Sequence, residues 1–97
     1  MEWHNEYYCS NVIWHCLQML MADPRIGPSH VCLFLSLLVL SGPDNREFPV
    51  YKDRILKMTR LSAATFHRGI YHLQRCGYLC YSPSFDPKKA NKVMLNF

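Results

Sequence analysis

Apolar residues recur at helical spacing in four stretches of the chain, and two later stretches have the composition of strands. Over residues 6–21, Tyr7, Trp14, Leu17 and Met21 fall on one helical stripe, which Ile13, Cys16 and Leu20 widen. The spacing predicts an amphipathic helix. Asp23-Pro24-Arg25 and Gly27-Pro28 interrupt it, because proline cannot continue a helix and biases the residue before it toward extended geometry. Ser29 then reads as the cap of a core helix over 29–41, whose body from His30 to Leu40 is apolar almost all round. Ser41-Gly42-Pro43-Asp44-Asn45 stops that helix.

Phe48-Pro49-Val50 is long enough only for an edge strand, where the missing amide of Pro49 does no harm. A helix-turn-helix is predicted over 52–77. Its first helix, Lys52 to Thr59, offers Ile55, Leu56 and Met58 to the interior, and Arg60-Leu61-Ser62 contains the turn. Ser62 caps the second helix, in which Phe66, Ile70 and Leu73 share one face and which Gly77 closes at a position that wants positive φ. Tyr78 to Tyr81 and Lys92 to Phe97 read as strands, the latter with Val93 and Leu95 on one face. The polar, proline-punctuated loop between them makes a hairpin over 78–97. The predicted fold is mainly α with a small β hairpin: a winged helix-turn-helix with a three-helix core, a two- or three-stranded wing and an extra N-terminal helix, all in one domain.

Charge sharpens this picture. The chain has 97 residues and a net charge of +4. Up to Phe48 there are only Arg25 and Arg46 against Glu2, Glu6, Asp23, Asp44 and Glu47. From Pro49 onward Lys52, Arg54, Lys57, Arg60, Arg68, Arg75, Lys88, Lys89 and Lys92 face only Asp53 and Asp86. The basic half coincides with the helix-turn-helix and the wing, the footprint of a polyanion-binding surface. The outward face of the second helix carries Ala63, Ala64, Thr65, His67, Arg68, Tyr71 and Arg75. Arg68 is the first choice for a bidentate contact to guanine, because its planar fork matches O6 and N7. The alanines suit close approach or a thymine methyl, and Ser62, Thr65 and Tyr71 can donate to phosphates or bases. Lys52, Arg54, Lys57 and Arg60 on or beside the first of these helices, and Lys88, Lys89 and Lys92 on or after the wing, are phosphate-type cations that fix register without reading sequence. The partner this predicts is double-stranded DNA.

Other chemistries find little support. With seven carboxylates, no phosphate-binding glycine loop and no nucleophile motif, an enzyme is not expected. The five cysteines form no C-x-x-C pair and read as reduced thiols of a cytoplasmic protein. Cys76 and Cys80 with His72 or His67 are too irregularly spaced to predict zinc, so neither metal nor cofactor is expected. Glu2, His4 and Asn5 do not suit a signal peptide, and the apolar run Val31 to Leu40 is about half of what a bilayer needs, so no membrane is expected. Trp3, Tyr7 and Trp14 give the N-terminal helix more large apolar groups than one small domain covers, which predicts a homodimer through it.

Asp23-Pro24-Arg25, Pro28-Ser29-His30-Val31, Thr65-Phe66-His67-Arg68 with Ile70 and Leu73, Gly77-Tyr78, and Tyr81-x-Pro83-Ser84-x-x-Pro87-x-Lys89 together resemble small winged-helix proteins of bacterial integrative and conjugative elements. The resemblance runs from about Met21 to Asn96. It implies a transcriptional regulator of a mobile element. The rival expectation is a winged-helix protein-interaction module in a mobile-element recombination, transfer or replication complex, since this fold does not dictate DNA binding.

Overall fold

The computed structural model describes residues 3–41, 47–86 and 89–96, with side chains in the first helix described from residue 13 onward. The element order is α1 (Trp3–Ala22), α2 (Pro28–Ser41), β1 (Phe48–Val50), α3 (Lys52–Thr59), α4 (Ala63–Arg75), β2 (Leu79–Ser82) and β3 (Asn91–Leu95). The described chain is therefore mainly helical with one small antiparallel sheet, in which β3 lies between β1 and β2.

Every element sends side chains into one buried cluster. Cys16 and Leu20 come from α1, Leu33, Phe34 and Leu37 from α2, and Ile55 from α3. Phe66, Ile70 and Leu73 come from α4, and the sheet adds Phe48, Val50, Leu79, Tyr81, Val93 and Leu95. Strand alternation explains the sheet's share. Leu79 lies opposite Leu95 and Tyr81 opposite Val93, so one face is apolar while Cys80, Met94 and Lys92 point the other way.

The first helix departs from its predicted phase. Trp14 and Met21 are 64% and 73% exposed, while the neighbouring residues Cys16 and Leu20 are buried and Ile13 and Leu17 are half-buried. Tyr7 and Trp3 lie outside the described side chains. The apolar arc of this helix is wide, so periodicity permits several buried faces. Which one is used depends on the surface it meets, and that surface accepts a turn of the helix about one residue away from the predicted one.

The second helix begins one residue early. Pro28 is its first residue, where a missing N–H is no loss, and the Gly27 carbonyl accepts from the amides of His30 and Val31 at 3.1 and 3.2 Å. Ser29 is thus inside the helix rather than its cap. Leu35 and Val39 of α2 are exposed, so one side of this apolar helix meets solvent.

In α3, Ile55 is buried, but Met58 is exposed and Thr59 takes the inward place expected of it. The Thr59 hydroxyl donates to the Ile55 carbonyl at 2.8 Å and accepts the Leu61 amide at 3.2 Å, which makes its burial inexpensive. Arg60 then adopts left-handed geometry, φ 61°, and its amide returns to the Leu56 carbonyl. Ser62 caps α4 by accepting the Thr65 amide at 3.2 Å, and its hydroxyl donates to Thr65 Oγ1 at 2.9 Å. At the other end Gly77, φ 86°, donates to the Gln74 carbonyl while Tyr78 donates to that of Leu73. That pair of bonds is the Schellman closure, and it needs a residue that tolerates positive φ. The strands run Leu79–Ser82 and Asn91–Leu95, one residue from the predicted limits at three ends, and Phe97, the predicted fourth, lies outside the described residues.

Candidate nucleic-acid interface

Burial of Phe66, Ile70 and Leu73 fixes the rotation of α4, because three fully buried side chains along one stripe leave a single face for solvent. Ala64, His67, Arg68, Tyr71 and Arg75 are exposed on that face, while Ala63 and Thr65 are half-buried at its start. Arg68 and Arg75 make no ion pair among the described residues. The Tyr71 ring stands edge-on to Tyr81 at 5.5 Å, so part of this exposed side chain is engaged in packing. His67 lies edge-on to Phe66 at 5.2 Å.

His67, Arg68, Tyr71 and Arg75 border an open groove of about 630 Å³ whose remaining wall is His30, His72 and Gln74. A second, smaller crevice of about 190 Å³ lies between the start of α3 and the β2–β3 loop, with Tyr51, Lys52, Asp53, Lys89 and Asn91 in its walls. Lys92 projects from β3 with its Nζ 3.9 Å from Glu47 Oε1. Arg60 is exposed in the turn between α3 and α4. Lys88 lies outside the described residues. The cations expected to act together thus form two groups on separate cavities, one along α4 and one where the loop meets α3.

One constellation has no counterpart in the expected site. The His30 and His72 rings stack at 4.4 Å with an interplanar angle of 26°. His30 Nδ1 accepts the Gly27 amide at 2.9 Å, and His72 Nε2 lies 2.7 Å from the Arg25 carbonyl. Arg25 in turn grips the Asp23 carboxylate, whose Oδ2 also accepts the Tyr78 hydroxyl at 2.8 Å. These bonds pin the α1–α2 turn to α4 and to the start of β2. Hydrogen bonds from the Arg25 side chain and amide, and then from Tyr78, hold Asp23 well below the usual carboxylate range. Burial, reinforced by Asp23, pushes the Tyr78 hydroxyl up to about 12. Burial lowers His30, and the His72 ring adds to that. Arg25 and His72 are 47 residues apart and Asp23 and Tyr78 are 55 apart. No local spacing signals such pairs.

A further cleft of about 680 Å³ lies between α1 and the end of α4, with Cys16, Met19, Cys76 and Tyr78 in its walls. Among the described residues no three His, Cys, Asp or Glu side chains are grouped to hold a metal ion, although Cys76 Sγ is 3.7 Å from His72 Nε2. No helix among them is long and apolar enough to cross a membrane. No protein-family model, curated protein or solved structure matches the chain.

Proposed function

We propose that this chain is a winged-helix module that binds double-stranded DNA sequence-specifically, with α4 as the recognition helix and the β2–β3 hairpin as the wing. The observation that carries the reading is the two-sided build of α4: Phe66, Ile70 and Leu73 are fully buried, and Arg68 and Arg75 stand on the opposite, open face. α2 and β2, which pack against α4, brace that helix, as it needs if it is to enter a major groove about 12 Å wide. Arg68 reads a guanine. Lys52 and Lys89, which share one crevice, hold phosphates beside it. The resemblance to regulators of bacterial mobile elements supports transcriptional regulation in the cytoplasm as the purpose of this binding.

The deciding experiment is a duplex titration at several salt concentrations with a scrambled competitor. Wild-type protein should bind with a steep salt dependence, and Arg68→Ala should lose specific affinity about tenfold while its unfolding free energy changes by about half a kcal/mol or less. If Arg68→Ala keeps both affinity and discrimination, Arg68 is not a reader.

A second reading, a protein-interaction module, is favoured by the exposed Trp14 and Met21 of α1 and by Val39 of α2, which is 74% exposed. The occupant we assign to the α1 surface is a second copy of the chain, which would set two recognition helices about one DNA turn apart. Trp14→Glu with Met21→Glu should then be monomeric by light scattering where wild type is dimeric. A monomeric wild type that binds no duplex at low salt would leave the interaction module as the better account.

A further inference from the structure

The most exposed large apolar side chain in the described chain is Phe85, at 98%. It sits in the loop between β2 and β3, in a segment that is held rather than slack. The Ser84 amide donates to Asn91 Oδ1 at 2.8 Å, and the Ser84 hydroxyl both donates to the Asp86 carbonyl and accepts the Asp86 amide at 3.2 Å. The Lys89 amide closes the turn onto the Asp86 carbonyl at 2.9 Å. Apolar surface is available on the same hairpin, where Met94 is exposed and lies across from Cys80, yet Phe85 does not fold back onto it. A single exposed apolar residue is ordinarily unremarked. An aromatic ring with almost no contact, next to Asp86 on a turn whose backbone is tied by these bonds and which leads to Lys89, has a narrower explanation.

Those cations select the partner. Lys89 is exposed four residues further on, Lys92 projects from the adjoining strand with its Nζ 3.9 Å from Glu47 Oε1, and Lys52 lines the same crevice as Lys89 at the start of α3. A polyanion drawn to these lysines comes to the loop that carries Phe85, and a nucleic acid is the polyanion that also has flat apolar surfaces to offer an aromatic ring. We infer that Phe85 is a wedge by which the hairpin loop engages DNA, its ring entering the minor groove and leaning between two base pairs while Lys89 and Lys92 hold the flanking phosphates. Proteins that enter the minor groove use apolar side chains in this way, unstacking one step and bending the duplex. The inference rests on the DNA-binding reading above and adds to it a contact that carries no charge.

That difference in charge makes the wedge testable. The protein is titrated onto short duplexes carrying the fluorescent base aminopurine at successive positions, over a range of salt concentrations, using wild type, Phe85→Ala, Phe85→Trp and Lys89→Ala. Wild type should brighten aminopurine at one step, where the base is unstacked. Phe85→Ala should abolish that signal and weaken binding by about tenfold, within the range of a lost base–aromatic stack, with the salt slope unchanged. Phe85→Trp should restore both. Lys89→Ala should keep the brightening at saturation and flatten the slope by about 0.9. An unchanged melting temperature for Phe85→Ala shows that the effect is not on folding. If Phe85→Ala binds and brightens as wild type does, the wedge is overturned while DNA binding stands. If wild type binds no duplex at low salt, both fall. Loss of binding to phosphatidylserine vesicles in Phe85→Ala, with duplex binding intact, would overturn it in favour of a membrane surface.

Discussion

Gly69 lies in the middle of α4, where glycine costs a helix about 1 kcal/mol relative to alanine, so replacing it by alanine would ordinarily stabilise. The structure reverses the expectation. A Cβ at this position would stand 3.1 Å from Leu33 Cδ2 and 3.6 Å from His30 Cδ2. Carbon atoms pack best at about 3.5–4.0 Å, so the first contact is short by about half an ångström. Leu33 is fully buried in the core and cannot turn aside without opening a void. The helices α2 and α4 must separate instead, and overpacking of this kind costs about 1–3 kcal/mol. Set against the propensity gain, Gly69→Ala should destabilise by up to about 2 kcal/mol. Urea unfolding with an unchanged m value measures this directly. Shortening the neighbour supplies the control. Leu33→Val alone should cost about 1 kcal/mol, but in that background Gly69→Ala should become neutral or favourable, with a coupling of at least about 0.5 kcal/mol between the two sites. If Gly69→Ala raises the unfolding midpoint and its effect simply adds to that of Leu33→Val, the close approach of α4 to α2 at this point is wrong.

The cap of α4 is open to a simpler test: Ser62→Ala should remove about 1 kcal/mol and lower the melting temperature by about 4–8 °C, with Ser62→Asp recovering most of it. Protonating His30 would put a hydrogen on the Nδ1 that accepts the Gly27 amide and would charge a ring stacked on His72, beside Arg68 and Arg75. Burial, and after it the His72 ring, lowers its folded pKa, so the unfolded chain takes the proton first, and stability present above about pH 6.5 is lost as pH falls. His30→Asn keeps an acceptor without the titration, so urea midpoints measured down to about pH 5 should fall more steeply in wild type; parallel profiles would rule this out. Asp23 obeys the same sign with a carboxylate. Its stabilisation is present above about pH 4 and lost below it, so wild type should lose stability faster than Asp23→Asn on acidification in that range.

Much of the stretch over 52–77 was legible because its signals are local. Ser62 accepts an amide three residues on, and Gly77 takes a backbone angle that its immediate neighbours impose. Phe66, Ile70 and Leu73 share a face by helical geometry alone, and all three are buried. The exposed stripe of α4 follows from the same periodicity: Ala64, His67, Arg68, Tyr71 and Arg75 lie on it, while Ala63 and Thr65 at its start are half-buried. Phe85 drew no notice in the sequence, since one phenylalanine in a polar loop has no period to announce it.

The four helices among the described residues, their approximate limits, the hairpin and the concentration of cations in the second half were all legible along the chain, because each depends on residues within a few positions of one another. Tertiary structure decided the rest. It turned α1 so that Cys16 and Leu20 are buried and Trp14 is not, and it chose Thr59 over Met58 for the interior. It inserted β3 between β1 and β2, stacked His30 on His72, and divided the cations between two cavities. The physical reason is common to all of these. A local pattern limits which faces of an element can be buried, but the face that is buried, and the distant residue that it meets, depend on the shape of the surface it packs against, and that surface exists only when the chain is folded.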